Sequence, residues 1–363
     1  MKKLRSIQVL RGLAAIGVVL YHMLVIEKKY AGGDHFLPGL FRLGQSGVDL
    51  FFVISGFVMV TVIHREGREN RPLDFLVHRF SRIYPNYWFY FFVTLAVWWL
   101  QPSLVNASQG GQFNFFRSFF LIPSATLPLV LIAWSLIYEV YFYLIFSLLV
   151  GVDRLRLLIS LLLWLLFLVN INLFPGATVS PITALILSPY AIEFIMGALA
   201  ALLLSSNVIQ RLPRVVFIVL SVLVPIVVPF LFGHYYSPNG AAGNLFRQTI
   251  VFGIAYSIWV LSMVSVERRY TLSFHPFLVR MGDISYTIYL SHLLILGATG
   301  RIWAGWFQQP GSPWDEVIVF PCMLLVIIMY SHIAHRVIEM PSYRFFIRLF
   351  SKRQGYSDKL RPR

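Results

Sequence analysis

Two ionisable residues interrupt an otherwise apolar stretch near the start of the chain: Ser6 to Ile26 reads SIQVLRGLAAIGVVLYHMLVI, with Arg11 and His22 where apolar side chains would be cheaper. At 100° per residue, eleven positions bring them back to within about 20° of each other, three turns and about 16 Å apart along one helix face. A neutral imidazole in a dry, partly polar cleft is a general base near neutral pH. An arginine, always charged, suits an anion such as a phosphate. A charge near the centre of a membrane helix costs about 2.5–3.5 kcal/mol on insertion scales, so such residues are read first as functional. A snorkelling arginine and a carbonyl-satisfied histidine explain either residue alone. Together on one face they favour chemistry.

Other residues extend the pattern. Asp49, in GVDLFF after Gly47, is expected near the depth of His22, where its carboxylate accepts the imidazole N–H and fixes the tautomer. Its bland alternative is a helix cap. Gly47, Ser55 and Gly56 are small enough to let a neighbouring helix approach. Arg79 and Arg82 stand at i and i+3 before Tyr84-Pro85, the spacing of a phosphate clamp at the membrane entrance, although a topological anchor explains their charge equally well. Trp134, Ser135 and Glu139 share a segment, and a glutamate at that depth must be protonated, paired or solvated. Its roles would be to bind acceptor hydroxyls, pair with Arg11 or relay a proton. Glu193, just after Pro189, raises the same question. Ser285, Tyr289 and His292 fall on one face, with Tyr286 beside them, as a cleft-lining stripe. His332, His335 and Glu339 also share a face, but Arg336 and the inner-edge position favour an ion pair over a metal, and no metal is expected.

These residues need membrane helices to position them. The chain has 363 residues, of which 58% are hydrophobic and 12% charged; its mean hydropathy is +0.73. That composition excludes a soluble globular domain and specifies an all-α polytopic membrane protein. Apolar stretches predict about ten transmembrane helices, near 6–26, 43–63, 83–101, 131–150, 157–173, 182–204, 215–232, 247–266, 284–300 and 317–338. Lysine and arginine outside these stretches concentrate on the side holding both termini, which is therefore cytoplasmic. The formal charge of +15 follows this topology, so nucleic acid is not an expected partner. Cys322 is the single cysteine, leaving no disulfide framework. The N-terminal segment has no cleavage site of the signal-peptide kind and is expected to be retained. The loop from His64 to Arg82 is inner and too charged for lipid; Gln101 to Val130 is outer, with aromatic residues that lie in the interface or re-enter. Tyr235, Tyr236 and Asn239 mark a smaller outer loop, most simply an ordinary turn. Residues 1–340 read as the transmembrane domain and 341–363 as a basic amphipathic cytoplasmic tail, with no appended soluble domain.

Taken together, the motifs resemble a known family. Arg11 and His22 with ten residues between them, Gly47-Val-Asp49-Leu-Phe-Phe52, Arg79-Phe-Ser-Arg82, Trp134-Ser135-Leu with Glu139, Ser285-Tyr286-Thr-Ile-Tyr289-Leu-Ser-His292 and Glu339-Met-Pro341 occur in order. The chain resembles integral-membrane acyltransferases of acyltransferase family 3, most closely bacterial exopolysaccharide and O-antigen O-acetyltransferases. The resemblance implies transfer of an acyl group, usually acetyl, from cytoplasmic acetyl-CoA to a sugar hydroxyl at the bacterial inner membrane. It implies that Arg11 and His22 are essential and that Arg79 and Arg82 help hold the donor, with Tyr84 beside them. Asp49 would orient His22, the Arg11 to His22 spacing would match the pantetheine arm, and the acceptor would be a polysaccharide or lipid-linked saccharide. A proton-coupled transporter or sugar-lipid flippase is the competing class, because buried Asp, Glu and His also build proton relays. Oligomeric state, including a homo-oligomer, is left open.

Overall fold

The computed structural model describes residues 4–31, 36–63, 71–105, 109–174, 176, 180–236, 242–270, 273–307 and 314–353. Residues 64–70 of the inner loop, Asn239 and the tail beyond 353 lie outside the described residues. Among the described residues there are helices and no strands, and seven helical stretches are long and apolar enough to cross a membrane. The protein is an all-α polytopic membrane protein. The chain divides into two compact units, Met1–Arg68 with Val152–Val326, and Glu69–Gly151 with Ile327–Arg363.

In the first unit, α1 (Arg5–Tyr30) is followed by a 3-10 segment (Gly39–Ser46) that leads into α2 (Gly47–Ile63). Then come α6 (Arg154–Leu173), the short α7 (Pro181–Ile186), α8 (Tyr190–Leu204) and the short α9 (Asn207–Arg211). The unit is completed by α10 (Arg214–Tyr235), α11 (Ala242–Tyr270), α12 (Pro276–Asp283), α13 (Ser285–Ile302) and the first part of α14 (Trp314–Ala334). Asp153 caps α6; the backbone N–H groups of Arg156 and Leu155, each 3.0 Å away, hold its carboxylate below the usual range.

The apolar stretches of α2 and α8 are 67% buried within the protein, those of α6 and α10 only 17%. The second pair exposes Leu158, Leu162, Leu166, Val219, Ile226 and Phe230, a surface that water would penalise and lipid tails accept. At the centre, α2 crosses α8 on glycine. A Cβ on Gly56 would fall 1.9 Å from the Phe194 carbonyl oxygen, and one on Gly197 equally close to that of Val53. Only glycine allows this approach, so the small residues read from the sequence do set a helix crossing. Packed residues also give directions. His22 meets His292 and Ile26 meets Gly300, so α1 runs parallel to α13, whereas Gly44 against Gly17 and Gly47 against Ala14 run antiparallel.

The second unit is built on α3 (Pro72–Leu100), with α4 (Phe115–Phe119), α5 (Ala133–Ser147) and α15 (Met340–Arg353). The segment after α3 re-enters along it. The Trp98 indole N–H donates to Gly111 O at 2.8 Å, Phe115 meets Phe91, and Trp88 stacks on Phe119 at 5.1 Å. Tyr87, Trp88 and Tyr84 donate to the carbonyls of Ser118, Phe119 and Phe120. Leu121 then reverses the chain with φ of 55°, a left-handed conformation rare for a branched side chain. Three expected spans fall outside the seven long apolar stretches: α3, whose second half is rich in Tyr and Trp; α5, at 15 residues; and the polar-striped α13.

The chain does not stop being helical at Met340-Pro341. A π turn at His335–Glu339 carries α14 into α15, and its wider ring relieves the clash a proline makes with the preceding turn. The first turns of the expected tail therefore pack on α3, with Phe346 at 6.0 Å from Trp88.

Candidate active site

His22 and His292 face each other across α1 and α13. His292 Nε2 lies 3.2 Å from His22 Nδ1, and the ring centroids are 4.9 Å apart. His292 is fully buried. Its Nδ1 lies 2.7 Å from Tyr289 O, a group that only accepts, so the proton of the neutral ring is on Nδ1 and Nε2 carries a lone pair towards His22. The His22 Nδ1, in turn, sits 2.9 Å from Val18 O and close to that lone pair, so it carries the proton. The remaining nitrogen of His22, Nε2, keeps its lone pair, which is the requirement for a base. Tyr289 adds its ring 5.9 Å from that of His292 and edges against Phe51. Tyr286 is half-buried on the same helix.

Asp49 does not occupy the place expected for it. The contacts of Gly17 with Gly44 and of Ala14 with Gly47 put the first turn of α2 level with Gly12 to Ala14, about eight residues and 12 Å along α1 from His22. The 3-10 segment before α2 already lies within the bundle, so Asp49 is deeper than its position in the apolar stretch suggested. Its hydrogen-bond partner is Gln248 Nε2, at 3.3 Å, and the carboxyl group of Glu193 lies beside it. Asp49 and Glu193 are fully buried, and among the described residues no amide, hydroxyl or cation donates to Glu193. Two adjacent buried charges of like sign would be costly. Glu193, flagged as an acid in an apolar helix, and Gln248, which carried no sequence signal, thus replace His22 as the neighbours of Asp49.

Arg11 is half-buried on α1, on the same helix as His22. In the second unit, the Arg79 guanidinium lies 5.5 Å over the Phe75 ring and 5.7 Å over that of Tyr143, while its buried Nε has no hydrogen-bond partner among the described residues. Tyr143 donates to Glu139. Arg82 is exposed one turn on. A cation held on aromatic faces with a donor to spare fits a phosphate or other anion. The Tyr84 hydroxyl is committed to Phe120 O at 3.0 Å, which makes it a brace for the re-entrant segment. Ser135 is buried with its hydroxyl on Ile132 O, and the Trp134 ring lies 6.0 Å from that of Tyr138. His335 Nδ1 lies 2.9 Å from Glu339 Oε2, and among the described residues no group of three or more metal-ligating side chains converges.

Comparison with known proteins gives this geometry a lineage. Exopolysaccharide production protein ExoZ of Rhizobium meliloti (strain 1021) is 34% identical over 115 residues, covering 30% of this chain and 34% of the relative. The chain thus aligns with about a third of that protein's length. No solved structure matches. Residues 4–332 match the family described as the acyltransferase domain. That match runs from α1 into α14 and takes in the histidine pair and the arginine turn alike, so the chain belongs to this acyltransferase family.

Proposed function

We propose that this acyltransferase moves an acetyl or other short acyl group from cytoplasmic acyl-CoA to a hydroxyl of an exported or cell-surface polysaccharide, or of its lipid-linked precursor, at the bacterial inner membrane. The contact between His22 and His292 carries the reading. His22 Nε2 takes the acceptor hydroxyl proton as the oxygen attacks the thioester carbonyl. The C–S bond then breaks, and the departing thiolate takes the proton back, so the imidazole ends as it began. His292 accepts from His22 Nδ1–H and holds the ring in the orientation that keeps Nε2 available. Its role is the one the sequence had suggested for Asp49.

The donor side rests on Arg79, whose spare Nε and aromatic cradle suit the phosphates of coenzyme A, with Arg82 beside it and Arg11 as a further cation. Tyr286 and Tyr289 of α13, on the helix of His292, and Trp134, Ser135 and Glu139 of α5 are the groups we assign to contact with the acceptor. A saccharide acceptor is supported by the printed role of the Rhizobium relative in exopolysaccharide production. Family membership favours turnover over transport.

The decisive experiment reconstitutes the full chain in lipid nanodiscs with acetyl-labelled acetyl-CoA and the polysaccharide of the source cell. Label is expected in the saccharide fraction, in ester linkage. A protein that transfers no label, yet moves protons or saccharide across liposomes, would return the transporter reading.

A further inference from the structure

At the end of α3 farthest from the arginines lies a cavity of about 730 Å³, within the range of about 300–1,000 Å³ usual for small-molecule sites. From Arg82 to Trp98 is sixteen residues, about 24 Å of helix. If the arginines face the cytoplasm, as their charge requires, this cavity opens on the outer side.

Its walls combine aromatic rings, Trp98, Phe113 and Phe115, with Gln112, Asn114, Ser124 and Thr126, and no charged side chain lines it. The rings are held by the fold. The Trp98 N–H is spent on Gly111 O at 2.8 Å, and Phe113 meets Trp98 edge to face at 5.2 Å. Gly110 and Gly111 have φ of 61° and 75°, a turn that only glycines take without strain. Leu127 N–H donates to Gln109 Oε1 on the far side of the loop. The polar groups, by contrast, have capacity left. The exposed Gln112 amide makes no side-chain hydrogen bond among the described residues, and Asn114 uses only Oδ1, which accepts from Arg117 N–H.

Rigid aromatic faces suit the C–H face of a pyranose, because the electron-rich ring attracts polarised hydrogens. The amides of Gln112 and Asn114 suit its hydroxyl groups, with the Ser124 and Thr126 hydroxyls, 3.2 Å apart and bonded to each other, beside them. A lining without formal charge matches a neutral sugar better than an anionic one. We propose that this cavity binds the neutral saccharide of the acceptor, with Trp98 as the stacking platform and Gln112 as a hydroxyl-recognising amide; the assignment rests on the acyltransferase reading.

The test uses the full chain in nanodiscs, with maltotetraose as the neutral probe and a galacturonic acid tetramer as the anionic one, followed by tryptophan fluorescence and saturation-transfer NMR. Maltotetraose should bind saturably and the anionic tetramer at least tenfold more weakly. Trp98→Ala and the surface substitution Gln112→Ala should each weaken binding about tenfold, whereas Trp98→Phe, which keeps a ring, should retain most of it. In the transfer assay the same variants should raise KM for the saccharide and leave KM for acetyl-CoA unchanged. Maltotetraose binding that is equal in wild type and Gln112→Ala, or stronger binding of the anionic tetramer, overturns the assignment. Wild-type transfer with an unaltered saccharide KM in both alanine variants overturns it while sparing the enzyme reading; saccharide binding without any transfer overturns the enzyme reading instead.

Discussion

The two units treat their buried ionisable groups in opposite ways. In the first, like meets like: imidazole faces imidazole across α1 and α13, and carboxyl meets carboxyl where α2 crosses α8. In the second, a cation rests on aromatic faces, with Tyr143 donating to Glu139 beside it. Carboxyl and imidazole groups can each gain or lose a proton, so the first unit's buried pairs are built from exchangeable groups. The guanidinium of the second keeps its charge at any accessible pH and is suited to holding rather than transferring.

The largest expected effect lies on the histidine side. His22→Ala should lower the transfer rate by about 10²–10⁴-fold while thermal unfolding in detergent stays close to wild type. Transfer within threefold of wild type would remove His22 as the base. Next, Gly56→Val drives a side chain into the Phe194 carbonyl and should destabilise the first unit by about 1–3 kcal/mol, visible as a lowered unfolding midpoint; an unchanged midpoint would mean the crossing is not tight. His292→Phe should cost about tenfold in rate, a loss of about 1.4 kcal/mol of transition-state stabilisation, and displace the acid limb of the pH–rate profile. A rate loss with an unmoved profile would reduce His292 to packing.

The carboxyl pair is probed by its shape-preserving variant. Asp49→Asn can still share a hydrogen with Glu193 and should cost less than about 1 kcal/mol, whereas Asp49→Ala strands Gln248 and Glu193 and should cost about 1–3 kcal/mol. Equal losses would argue against a shared proton. The smallest change is expected for Arg79→Lys, which keeps charge but loses the planar stacking on Phe75 and Tyr143; KM for acetyl-CoA should rise a few-fold at constant kcat. Titration calorimetry that shows identical donor affinity would return Arg79 to a topological role.

Much of this was legible in the sequence because hydropathy is a local property. The long apolar helices, the shared face of Arg11 and His22, and the glycines of α2 follow from spacing alone. What escaped depends on register between helices. His22 and His292 are 270 positions apart, and nothing local announces that α1 and α13 run parallel at the same depth. The apolar boundary alone puts Asp49 at the depth of His22, whereas the 3-10 segment at Gly39–Ser46 shifts α2 inward and brings it to Gln248 and Glu193 instead. The π turn at His335–Glu339, which joins α14 to α15 ahead of Pro341, likewise has no compositional signature.

The re-entrant segment bears on how the protein reaches the bilayer at all. At 15 residues α5 is about 22 Å long, short of a hydrocarbon core of about 30 Å. The carbonyls of Ser118, Phe119 and Phe120 that precede it find their donors on Tyr84, Tyr87 and Trp88 of α3. A nascent chain therefore cannot readily hand α4 and α5 to lipid one at a time, because Ser118 O has one local donor, the Leu121 N–H, and the side-chain donors to Ser118, Phe119 and Phe120 all come from α3. Insertion of this part must wait for α3 and then proceed as one hairpin. Variants at these three donors should accordingly appear as chains degraded during biogenesis, not as slow enzymes.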